Sequence, residues 1–129
     1  MAADHPAIER EVKLGAWPGF QVPDLGGLGD GLVPVPLGRR TLTATYYDTA
    51  DLRLARWGAS LRHRTGDEPA WTVKLPRHSD GPALVRREVG FEGPAGVVPA
   101  GAAALVLAFA RSSPLVAVAR LRTVRSGVE

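Results

Sequence analysis

The stretch Ile8-Glu9-Arg10-Glu11-Val12-Lys13-Leu14 decides how the rest of this chain is read. A period of two places Glu9, Glu11 and Lys13 on one face of a strand and Ile8, Val12 and Leu14 on the other. In a single half-buried strand such an ionic face would simply meet water. Here the arrangement recurs with mostly basic residues, in Ser60-Leu61-Arg62-His63-Arg64, in Trp71-Thr72-Val73-Lys74-Leu75, and in Leu84-Val85-Arg86-Arg87-Glu88-Val89-Gly90-Phe91-Glu92.

Outward from these stretches, residues 1–7 read as a leader before a first strand from Ile8 to Gly15. The Gly- and Pro-rich segment from Trp17 to Val35 makes a poor helix. Arg39 to Asp48 is dense in Thr and Tyr and reads as a second strand. Asp48 to Asp51 opens a short helix carrying Leu52, Leu54 and Trp57, which Gly58 ends. Asp48 reads as its cap, and Trp57 and Trp71 as packing residues. Strands follow over Ala59–Thr65 and Ala70–Leu75, joined by the turn Gly66-Asp67-Glu68-Pro69. Pro76 to Pro82 is a loop, and Ala83 to Glu92 a fifth strand. An Ala/Leu-rich helix is predicted over Pro99–Arg111, then a last strand from Leu115 to about Arg125. His5, His63 and His78 are assigned no chemistry.

At 129 residues and 13.7 kDa, 45% hydrophobic and 22% charged, the chain has the make-up of one globular domain. Its 16 basic and 13 acidic residues give +3 and a pI near 9.9, and 14 of the 16 are Arg, suited to planar contact with phosphate or carboxylate. Without cysteine there is no disulfide framework, no thiol nucleophile and no Cys-based zinc site. No signal peptide is visible, and the apolar run from Ala102 to Ala110 is too short for a bilayer, which needs about 20 residues. A cytoplasmic protein without a membrane partner is expected.

Sorted by parity, the strands bring Glu9, Glu11, Lys13, Arg62, Arg64, Lys74, Arg86, Glu88, Glu92, Arg120 and Arg122 to one face. Arg86 and Arg87 compete for the inward position, and parity with Glu88 favours Arg86. Consecutive strands with short turns define an α+β fold with an antiparallel sheet and helices outside it. Twist and the removal of edges favour closure of such a sheet into a barrel with a charged interior. Clustered cations in such a tunnel repel one another, so its natural guest is a polyanion. Arg and Lys would clamp phosphate oxygens, while Glu9 and Glu11 would hold Mg²⁺ or Mn²⁺. A divalent ion in that position is suited to hydrolysing a phosphoanhydride.

Glu9-x-Glu11-x-Lys13 resembles the ExExK signature that opens CYTH domains, also called triphosphate tunnel metalloenzymes. Tyr46-Tyr47-Asp48-Thr49-Ala50-Asp51-Leu52, Gly58 to Arg64, Trp71 to Pro76 and Arg86 to Val89 are similar to further stretches of that family, in the same order. The style is that of bacterial CYTH domains, often fused to a CHAD domain. The resemblance implies one tunnel domain over residues 1–129 that hydrolyses inorganic triphosphate or a related organic triphosphate. It implies catalytic Glu9, Glu11 and Lys13. Lys13, Arg62, Arg64, Lys74, Arg86, Arg120 and Arg122 would bind the substrate, and Glu9, Glu11 and Glu88 the Mg²⁺ or Mn²⁺. The chain departs from the pattern at Gly90, where many members carry an acid. It also ends near the sixth strand, so either it is a fragment or the sheet stays open. The missing acids favour a second reading, a non-catalytic polyphosphate- or nucleotide-binding module. Nucleic acid is the third reading; acids share the ionic face and aromatics do not interleave with its bases, which argues against it.

Overall fold

A computed structural model describes residues 5–129, apart from the side chains of His5 and of residues 78–80. Residues 1–4 of the expected leader and the side chains of His5 and His78 therefore lie outside the described residues. Seven strands form one antiparallel sheet: β1 (His5–Glu11), β2 (Pro36–Asp48), β3 (Ser60–Thr65), β4 (Trp71–Lys74), β5 (His78–Asp80), β6 (Ala83–Phe91) and β7 (Val116–Val128). Their order is β1-β6-β4-β3-β2-β7, with β5 beside β6 in what the sequence suggests is a plain loop. The two ends of this order, β1 and β7, do not pair with each other. The sheet is open rather than closed into a barrel.

Three short helices, α1 (Arg53–Arg56), α2 (Ala100–Leu105) and α3 (Leu107–Ala110), lie on one face. Leu61, Trp71, Val73, Val89 and Phe91 from the strands pack there with Leu54, Ala102, Val106 and Ala110 from the helical layer. Each large apolar side chain buried this way contributes about 1.5–3 kcal/mol. Gly101 permits the closest approach of α2, since a Cβ there would stand 2.8 Å from Phe91 Cε1. The helix expected over Pro99–Arg111 is broken at Val106, whose φ of −99° and ψ of 5° leave the helical range.

α1 is held by Asp48, which is buried. Its Oδ1 accepts from the Thr49 and Leu54 amides at 2.7 and 2.9 Å, and its Oδ2 from Ala55 at 3.0 Å. These bonds satisfy amides that the start of a helix leaves without partners. Trp71 is core, as expected, and meets Tyr47 and His63 at ring distances of 5.0 and 5.1 Å. Trp57 is not: it is 67% exposed.

The first strand also departs from expectation, running from His5 to Glu11 and leaving Val12, Lys13 and Leu14 beyond it. Its apolar parity is not buried, with Ile8 71% exposed. Among the described residues the helices pack mainly on β2, β3 and β4 and, through Gly101, against Phe91 of β6, rather than on β1.

Candidate anion-binding site on the helix-free face

In an antiparallel pair, residues directly opposite each other share a face. Glu9 stands opposite Arg86, Lys74 opposite Glu88 and Ser60, Arg62 opposite Thr72 and Tyr46, and Arg64 opposite Ala44. The register therefore gathers Glu9, Glu11, Arg62, Arg64, Lys74, Arg86 and Glu88 on the face without helices. Arg87, opposite Ile8, takes the other face. Leu42 and Ala44 share the ionic face and are nevertheless buried.

Arg120 and Arg122 are the correction. They stand opposite Thr45 and Thr43, and Thr45 is opposite His63, which places both guanidiniums on the helix-side face. The strand β7 instead presents Ala119 and Leu121 to the ionic face, with Arg125 opposite Arg40 at its far end. Charge alone phased this strand wrongly. Arg125 has the opposite parity to Arg120 and Arg122, and only pairing with β2 decides which parity turns inward.

Lys74 is the hub. Its Nζ lies 2.6 Å from Glu9 Oε2 and 3.2 Å from Glu88 Oε2, with the lysine side chain 12% exposed. Burial works to raise the Glu9 pKa. The hydrogen bond and charge of Lys74, a hydrogen bond with Glu88 and the charge of Arg86 outweigh it and hold the carboxyl below its ordinary value. Beyond the end of β1, Lys13 turns back to Glu11, with Nζ 3.0 Å from Oε1.

Asp67 organises the other end. It accepts from Arg64 Nη1 at 2.9 Å and lies 3.5 Å from Arg40 Nη2, which also donates to the Gly66 carbonyl. Burial opposes ionisation here too, and is outweighed by the Arg64 hydrogen bond and charge and by the charges of Arg40 and Arg62, so the Asp67 pKa is lowered. Arg40 and Asp67 were not singled out in the sequence, because Asp67 looks like an ordinary turn residue and Arg40 like the start of a strand.

Two donors remain unmatched. Arg62 Nε and Arg64 Nε are buried and have no hydrogen-bond acceptor among the described residues. A buried N–H without a partner costs about 1–3 kcal/mol, so two of them on one strand face mark a place where an added acceptor would be stabilising.

Gly90 has a steric reason. A Cβ there would stand 2.0 Å from Pro69 Cγ, so the ring of Pro69 occupies the place where an acid at this position would project.

Among the described residues, no group of three or more His, Cys, Asp or Glu converges to hold a metal ion. Glu9 and Glu88, drawn together by Lys74, nevertheless match the habit of Mg²⁺, which takes one or two carboxylates and completes its shell with phosphate and water oxygens. The donor set fits a divalent ion that arrives with a phosphate ligand.

An antiparallel sheet with helices on one face and clustered charges on the other is the α+β architecture of a tunnel-type domain, here with the sheet open. The CYTH domain family model matches residues 7–129, and the chain belongs to the CYTH family. The chain is also 41% identical over 85 residues to proteins from two strains of Mycobacterium tuberculosis, each described as an uncharacterized protein. That match takes in 65% of this chain but 16% of each relative, so the chain spans a small part of the curated relatives it matches. No helix among the described residues is long and apolar enough to cross a membrane.

Proposed function

We propose that the ionic face binds a short phosphate chain, inorganic triphosphate or a related triphosphate, and hydrolyses one of its phosphoanhydride bonds with Mg²⁺ or Mn²⁺. The observation that carries this reading is the pair of buried, unmatched Arg62 and Arg64 Nε donors beside the Lys74 ammonium. CYTH proteins generally act on triphosphates with divalent ions, which supports it.

Each side chain has a definite task on this reading. Arg62 and Arg64 donate to phosphate oxygens in the fork geometry that guanidinium supplies. Lys74 adds a point charge, and Arg86, opposite Glu9, extends the cationic wall. Glu11, the last residue of β1, and Lys13 beyond it stand at the rim. Glu9 and Glu88 would hold the divalent ion, which when bound supplies charge neutralisation and Lewis-acid activation. Until then Lys74 lies against both carboxylates and offsets part of their repulsion, with the charge of Arg86 opposite Glu9 adding to it.

A second reading is favoured by the open sheet and by the absence, among the described residues, of a three-carboxylate cluster: a module that binds polyphosphate without turning it over. Phosphate release from triphosphate, ATP and thiamine triphosphate, measured with and without Mn²⁺, separates the two. Release that needs the metal and vanishes in Glu9→Gln supports hydrolysis. Saturable calorimetric binding without release supports the module, and neither binding nor release overturns both.

A further inference from the structure

We propose that a cleft between α1 and α3, on the helix-bearing side of the sheet, is a second anion site that takes a phosphate ester with a flat aromatic group, of the nucleoside monophosphate class. Asp51, Arg53, Arg56, Trp57, Phe109 and Arg111 line it, and it encloses about 500 Å³, within the usual range of small-molecule sites.

The charges do not cancel. Asp51 Oδ2 lies 3.0 Å from Arg53 Nε and 3.1 Å from Arg56 Nη2, so one carboxylate serves two guanidiniums. Its Oδ1 is taken by the Thr49 hydroxyl at 2.8 Å. Arg111 also lines the cleft, so its three arginines outnumber its one acid by two. Arg53 is aimed before any ligand arrives, because its Nη1 also donates to the Ala110 carbonyl at 3.2 Å. Forked cations held in this way match the oxygens of a phosphate.

Two further observations ask for more than bracing between helices. Arg111 sits at φ 55° and ψ −128°, a backbone conformation that favours glycine, and such residues cluster where a site needs a particular side chain. Trp57 is 67% exposed, with its ring centroid 6.4 Å from that of Phe109. Its open face offers a stacking surface beside the cations, the combination that holds a base and its phosphate together. An ion pair that only tied α1 to α3 would need Arg53 and neither Trp57 nor Arg111.

The test is tryptophan fluorescence of the full chain titrated with AMP, read at Trp57 on the helix-bearing side. Saturable quenching is expected, and Trp57→Phe removes it, since Trp71 is buried and Trp17 lies elsewhere. Arg111→Gly relieves the backbone while deleting the guanidinium. It should stay folded, bind triphosphate on the ionic face as before, and weaken AMP by about tenfold, the loss expected for one charge-assisted hydrogen bond. Ribose 5-phosphate and adenosine, each carrying half of the ligand, should bind more weakly by a similar factor. Absence of saturable quenching, quenching that survives Trp57→Phe, or unchanged affinity in a folded Arg111→Gly would each overturn the proposal.

Discussion

The ammonium of Lys74 on β4 reaches across β6 to the carboxylate of Glu9 on β1, closing a 2.6 Å contact between residues 65 positions apart. Glu88, on the strand between them, is the second carboxylate within 3.2 Å of the same nitrogen. This triad ties the edge strand β1 to the centre of the sheet, which the helices do not do for it.

Removing the hub should therefore be worse than removing either acid. Lys74→Met leaves two carboxylates facing each other without the cation that both contact, and is expected to cost about 1–2 kcal/mol after allowance for their partial exposure. Glu9→Gln, which leaves Lys74 with Glu88, should cost less. Melting temperatures at pH 7 and low salt check the order, and equal losses would show that Lys74 is not shared.

Stability should fall on the acid side. The Glu9 and Asp67 pKa values are lowered by folding, so each contributes stability that is complete above its unfolded value and is lost as pH falls through its folded one. Melting should be nearly flat above about pH 5 and decline steadily below about pH 4. Glu9→Gln should flatten part of that decline; an identical acid slope in the variant would remove Glu9 as its source.

Side chains on the two faces should separate in binding. Arg62→Met deletes a buried donor that has no acceptor among the described residues, so stability should hold while triphosphate affinity falls by about tenfold or more. Arg122→Met, on the opposite face, should leave affinity within about twofold, once weak screening at exposed positions is considered. Isothermal titration of both variants decides it, and equal losses would contradict the register of β7.

Gly90→Ala tests the close approach of Pro69. With a Cβ 2.0 Å from a ring carbon, the backbone or the ring must shift, at a cost of about 1–3 kcal/mol. Urea denaturation measures it, and a neutral substitution would mean that Pro69 does not occupy this place.

Much of the ionic face was legible because strand parity is local. Glu9, Arg62, Arg64, Lys74, Arg86 and Glu88 share a face in the folded chain as their alternation implies, since each side chain's direction follows from its own strand. Asp48 was legible as a cap for the same reason. Whether a strand's apolar parity is actually covered is not local, and Ile8 and Leu121 are exposed because the helices pack mainly on β2, β3 and β4 and because β7 takes its phase from β2.

Alternation within each strand, turn residues and helix-capping chemistry are properties of neighbours along the chain, and the amino-acid order by itself determined an antiparallel α+β sheet with an ionic face. Tertiary structure alone decided that Lys74 serves two acids, that Arg125 rather than Arg120 or Arg122 turns inward, that Pro69 fills the space above Gly90, and that the sheet stays open. Those outcomes depend on register, twist and packing between distant segments, where a shift of one residue reverses every side chain.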